Sequence, residues 1–110
     1  MQFRFSAFAL AVFLSACDGG MHVEGTVLTQ DKKPVEGAKI YFDDPGRERY
    51  PNSFETSSDS AGHFRLSTTV APGNYKIPVV VEATGYQTFR EELPTLQENT
   101  LVVHLTSTGQ

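Results

Sequence analysis

Three kinds of side chain in this sequence have chemistry to offer: one thiol, three imidazoles, and a loop that mixes carboxylates, guanidiniums and a phenol. Cys17 is the only cysteine among 110 residues, so no disulfide can form within the chain and its thiol is free to act as a nucleophile. His22, His63 and His104 are far apart, and none stands in a His-Glu-x-x-His or comparable metal-ligand spacing. A zinc peptidase is therefore not expected, and His63 and His104 read as solvated surface residues. Asp43, Asp44, Glu48 and Asp59 carry oxygens of the kind calcium takes, but they lack the alternation of a calcium loop, and loop solubility accounts for them. There is no Gly-x-Ser-x-Gly elbow, phosphate loop or paired-cysteine knuckle, so no catalytic residue, cofactor or metal is expected. The stretch best suited to recognition is Asp43-Asp44-Pro45-Gly46-Arg47-Glu48-Arg49-Tyr50-Pro51, which sets Arg47 and Arg49 beside Tyr50 in an exposed loop. A merely solvated crossover is the competing reading.

The residues before Cys17 give the thiol a task. From Phe5 to Leu14 the chain is Phe, Ala, Leu and Val with a single Ser, and Arg4 is the only charge ahead of it. That is the pattern of a secretory signal. The run is roughly ten residues, whereas a helix crossing a hydrocarbon core about 30 Å thick needs about 20, so cleavage is expected rather than a permanent span. Leu14, Ser15, Ala16 and Cys17 resemble the lipobox of bacterial lipoproteins, in which two small residues fit a peptidase cleft and the following thiol becomes a thioether. The resemblance implies a signal peptide over 1–16, diacylglycerol on Cys17 and a short spacer over 17–22. An ordinary secreted protein with an incidental cysteine is the alternative.

Each buried CH₂ of an acyl chain contributes about 0.8 kcal/mol, so two or three chains hold a protein on its membrane. Asp18 resembles the signal that retains enteric lipoproteins in the inner membrane, with the outer membrane as the alternative, and either places the domain in the cell envelope facing the periplasm. The formal charge of -4 becomes -5 without Arg4, which argues against a nucleic-acid or anionic-lipid surface.

The rest of the chain must position these groups with strands. Apolar and polar residues alternate in short runs, broken by Gly, Pro, Asn and Asp every 8 to 12 residues or so, as in an antiparallel sandwich. Val23 to Thr29 places Val23, Gly25 and Val27 on one face, and Ala38, Ile40 and Phe42 share a face in the second strand. Phe54 to Ser58 reads as a short polar strand, which Asp59-Ser60-Ala61-Gly62 joins in a hairpin to His63–Thr69, with Phe64 and Leu66 inward. Pro72-Gly73 reverses the chain into Tyr75–Ala83, where Pro78 suggests an edge or a bulge. Tyr86 to Glu92 is a weaker polar strand, and Leu101, Val103 and Leu105 line the inner face of the last one. The expected domain is 23–106, with a polar tail over 107–110.

Taken in order, Val23-Glu24-Gly25-Thr26-Val27, Pro34-Val35-Glu36-Gly37-Ala38, Asp59-Ser60-Ala61-Gly62-His63-Phe64, Pro72-Gly73-Asn74-Tyr75 and Gly85-Tyr86 resemble carboxypeptidase regulatory-like domains. The resemblance implies an all-β, seven-stranded antiparallel Greek-key β-sandwich of the transthyretin (prealbumin) type, and a folding, interaction or glycan-binding module rather than a catalytic one. Two enzyme families share this sandwich. The 5-hydroxyisourate hydrolases end in Tyr-Arg-Gly-Ser, whereas this chain ends Thr106-Ser107-Thr108-Gly109-Gln110. The intradiol dioxygenases hold iron with two Tyr and two His, and Tyr41, Tyr50, Tyr75 and Tyr86 show no matching arrangement with the histidines.

The expectation is a non-enzymatic module, anchored to a membrane through Cys17, that binds a neighbouring envelope protein. The alternative is a module for cell-wall saccharide using Tyr50, Tyr86 and Phe89, against which the absence of tryptophan counts. Pro78 and the charged strand ends favour a monomer.

Overall fold

The computed structural model describes residues 20–109, and the expected signal segment, Cys17 and Asp18 lie outside them. Among the described residues no helix is long and apolar enough to cross a membrane. Seven strands form two sheets: β1 (Gly20–Thr29), β2 (Lys39–Phe42), β3 (Glu55–Ser57), β4 (His63–Thr69), β5 (Lys76–Glu82), β6 (Phe89–Pro94) and β7 (Glu98–Leu105). One sheet has the order β4-β1-β7 and the other β3-β2-β5-β6. Two single helical turns, α1 (Gly46–Arg49) and α2 (Pro51–Phe54), fill the segment between β2 and β3.

The period-2 pattern sorts the side chains. β7 alternates exposed and buried residues along its whole length, and β4 does so from His63 to Ser67. Val23 and Val27 from one sheet meet Ile40, Phe42, Val79 and Val81 from the other, and Val103 and Leu105 complete the layer between them. Fully burying an aliphatic or aromatic side chain of this size contributes roughly 1.5–3 kcal/mol, so this layer is the main source of stability in a chain without a disulfide.

Several expectations need correction. β1 starts at Gly20, inside the expected spacer, because Gly20, Met21 and His22 pair with Thr69, Thr68 and Ser67 and because Met21 is buried in the core. The sheets are not purely antiparallel. β1 runs parallel to β7, pairing His22–Thr29 with Glu98–Leu105, since the chain crosses from one sheet to the other between β6 and β7.

β3 and β4 are not a hairpin either, because β3 pairs with β2 and β4 with β1. Asp59 does cap the turn, its Oδ1 accepting from the amides of Ala61 and His63 at 2.9 Å each. Gly62, at φ +80°, then gives its carbonyl to the Val27 amide at 2.7 Å, and this bond carries the chain onto β1 rather than back along β3. Phe54 belongs to α2 and is buried, its ring edge-on to Phe42 with centroids 6.4 Å apart.

Pro78 lies in an interior strand. The Asp43 amide, one residue past the end of β2, donates to the Pro78 carbonyl at 2.9 Å. In an antiparallel strand the amide and carbonyl of a residue face the same neighbour. The donor that proline lacks therefore points to the place where β2 has already ended.

Candidate functional site

The loop between β2 and β3 is held from both ends of its sequence. Phe54 pins it to the core against Phe42, and the Asp44 carboxylate accepts from the Gly46 amide at 3.0 Å to start α1. Within it, Arg47 does not join Tyr50 as the sequence suggests. Its guanidinium lies 3.6 Å from the centroid of the Tyr41 ring, and its Nε donates to Glu55 at 3.2 Å. Register explains the meeting: Glu55, Tyr41, Val80 and Arg90 form one row across β3, β2, β5 and β6, on the outer face of that sheet. Val80 in this row is 2% exposed, and Arg90 beside it reaches Asp43 at 2.9 Å. Arg47 is thus a structural clamp, whereas Arg49 is exposed and Tyr50 is 62% exposed at the tip. Tyr86 and Phe89, expected as partners of Tyr50 in a saccharide face, pack instead against the core and are only partly exposed.

The Tyr41 hydroxyl donates to the Glu82 carboxylate at 2.7 Å. That bond, with partial burial and the charge of Glu82 adding to it, raises the Tyr41 pKa above its usual 10.0. Tyr75 is also raised, chiefly by burial and then by the Asp44 charge, and its hydroxyl donates to the Ala71 carbonyl at 2.7 Å.

A raised phenol pKa means that the folded state holds the proton more tightly, so the Tyr41 contribution is complete below pH 10 and is lost as pH climbs through the raised value. Tyr41→Phe, which keeps the ring under Arg47, is expected to cost about 0.5–1.5 kcal/mol at neutral pH. The difference from wild type should close at strongly alkaline pH. Urea unfolding at the two pH values checks this, and a deficit that persists unchanged would remove the hydrogen bond as its cause.

A second cluster escaped the sequence reading. His22 of β1 pairs in register with Ser67 of β4 on one side and Glu98 of β7 on the other. Glu24 follows two residues along the same face. His22 Nδ1 is hydrogen-bonded to Ser67 Oγ, while Nε2 lies 3.6 Å from Glu24 Oε1 and 3.8 Å from Glu98 Oε1. Arg65 takes the other Glu24 oxygen at 3.8 Å. The one available signal was the His22-x-Glu24 alternation, and it was hidden because Gly19 and Gly20 read as linker. His63 and His104 are exposed on outward registers, as expected.

Two sheets packed face to face, with strand connections that repeatedly cross between them, place the protein in the class of transthyretin-like sandwiches. Residues 22–107 match the carboxypeptidase regulatory-like domain, and the chain belongs to that family. No curated protein matches it.

Among solved structures it is similar to catechol 1,2-dioxygenase from Acinetobacter radioresistens, with a TM-score of 0.61, 14% identity, and coverage of 87% of this chain and 54% of that one. A 3-chlorocatechol 1,2-dioxygenase from Rhodococcus opacus matches with a TM-score of 0.58, 11% identity, and 81% and 60% coverage. The dioxygenase domain of a dioxygenase carbohydrate-binding protein fusion from Streptomyces sp. SirexAA-E matches with a TM-score of 0.57, 20% identity, and 86% and 84% coverage. The chain spans 54–60% of the length of the first two. At these identities the likeness is one of fold alone.

Proposed function

We propose that this chain is a non-enzymatic interaction module of the bacterial envelope, tethered through lipid on Cys17 after removal of residues 1–16, that presents the Arg49-Tyr50 tip to a neighbouring envelope protein. The observation that carries the reading is where this tip sits. Gly20, the first residue of β1, pairs with Thr69 at the end of β4, and its carbonyl accepts from Leu96 at 3.1 Å. Asn52 and Ser53, just after Tyr50, line one groove together with Thr68 and Thr69. The recognition loop therefore lies at the end of the sandwich from which the chain leads back toward Cys17.

Only Asp18 and Gly19 separate Cys17 from β1. Even fully extended, three residues reach about 10 Å, so a lipidated Cys17 keeps this end of the domain against the membrane surface. Tyr and Arg are the side chains that dominate protein interfaces when they are buried by a partner, and a phenol 62% exposed on a pinned loop is ready to be covered.

A non-catalytic role is supported by the commitments of the tyrosines. The Tyr41 and Tyr75 hydroxyls are spent on Glu82 and on a backbone carbonyl, and the family is a regulatory-like domain. Asp18 favours retention in the inner membrane with the domain in the periplasm.

The test of the anchor is fractionation of cells expressing the full chain, with mass analysis of its N-terminal peptide. The expected result is a chain that sediments with membranes and begins at Cys17 carrying diacylglycerol, while Cys17→Ser is released to the soluble fraction. Membrane association that survives Cys17→Ser, or a free thiol at position 17, would overturn the tether.

A further inference from the structure

We propose that His22, Glu24 and Glu98 form a binding site for a divalent transition-metal cation of the zinc type on the outer face of the β4-β1-β7 sheet. The site is independent of the tether and of the tip at Tyr50. Its donor set is one imidazole nitrogen and two carboxylate oxygens, the borderline N and O ligands that such cations take. The three donor atoms lie within 4.8 Å of one another. A tetrahedral ion with bonds of about 2.0–2.1 Å holds its ligand atoms about 3.3–3.4 Å apart, so the separations of 3.6 and 3.8 Å from Nε2 close with movements of a few tenths of an ångström, while the two carboxylate oxygens, within 4.8 Å of each other, close by up to about 1.4 Å. Glu98, whose side chain is 85% exposed, has the freedom to make them.

The geometry also prepares the imidazole. Ser67 holds Nδ1 from the neighbouring strand and fixes the ring plane, as the outer partners of metal-bound histidines do. Nε2 is shielded from solvent and has no hydrogen-bond partner, although it faces two anionic oxygens. A cation placed in the space they share would take the Nε2 lone pair and both carboxylates as ligands at once. Arg65 occupies Glu24 Oε2 and leaves Oε1 turned toward His22. Three ligands come from two adjacent strands whose pairing fixes them, and a water is left to complete the shell.

The experiment is a calorimetric zinc titration of the chelator-stripped full chain in detergent micelles, followed in parallel by the ring-nitrogen resonances of the histidines. One equivalent is expected to bind, with His22 Nε2 as the ring nitrogen that shifts and with a rise in the unfolding temperature. Glu24→Gln, Glu98→Gln and Ser67→Ala should each weaken binding about tenfold or more, while a His63→Ala and His104→Ala double variant should bind as wild type does. Unfolding of every variant in chelator confirms that the sheet is intact. Absence of binding at millimolar zinc, affinity unchanged in both Gln variants, or a shift at His63 or His104 in place of His22 would each overturn the site.

Discussion

Gly25→Ala is expected to remove a large share of the protein's stability and to lower its urea midpoint more than any other glycine substitution. Gly25 is in β1, the middle strand of its sheet, opposite Phe64 of β4 and Leu101 of β7. A Cβ there would fall 1.9 Å from the Leu101 carbonyl oxygen and 2.8 Å from its carbon, with the tip of the Phe64 ring at 3.1 Å. The nearest obstacle is backbone, so no rotamer change relieves it. β7 would have to move away from β1 along a ladder that runs from His22 to Thr29.

The expected cost is about 3 kcal/mol or more, at the upper end of what overpacking produces. A domain of this size has roughly 5–13 kcal/mol in total. Gly37→Ala makes the informative contrast. Gly37 is at φ +80° with nothing near its missing Cβ, so only the conformational penalty of roughly 1–2 kcal/mol applies. Urea unfolding followed by circular dichroism should rank the two in that order, and equal midpoints would contradict the steric account.

Phe42→Ala is expected to cost about 3–5 kcal/mol, the range for deleting a buried aromatic ring. Phe42 is 0% exposed and meets Phe54 edge-on at 90°. Its loss removes both a core side chain of β2 and the surface on which α2 is seated. Gly46 shows how closely this seat fits, because a Cβ there would be 2.6 Å from the Phe54 ring. Under conditions where the variant is still folded, amide exchange should quicken first over Arg47–Phe54. Uniform quickening across both sheets would mean that the loop is not held through the aromatic pair.

Strand existence was written in the alternation of Val23 with Val27, Ile40 with Phe42, and Leu101 through Leu105, because a pleated strand sends successive side chains to opposite faces. Partnership was not written there. His63–Thr69 shows the same pattern whether it returns along β3 or crosses to β1, and the choice is made by the bond from the Val27 amide to Gly62. Val80 faces outward by register, yet it is nearly inaccessible, because the row of Tyr41 and Arg90 closes beside it.

The segment between β2 and β3 was legible as a loop from its two prolines and its charges. The destination of Arg47 depended on Tyr41, which enters the loop's surroundings only through sheet register. His22 was misread for a related reason: the glycines before it resemble a spacer, and its neighbour Glu98 becomes visible only once the parallel pairing of β1 and β7 is known.

The claim that the Arg49-Tyr50 tip is a docking surface for an envelope protein at the membrane is tested most directly by placing a photo-crosslinking amino acid at position 50 of the full, lipidated chain in living cells. The account predicts one dominant protein adduct that disappears in the Cys17→Ser background and is not formed when the crosslinker stands at Val102, an exposed hydrophobic residue on the opposite sheet. Adducts with saccharide or lipid alone, or the same protein adduct from both positions, would contradict it.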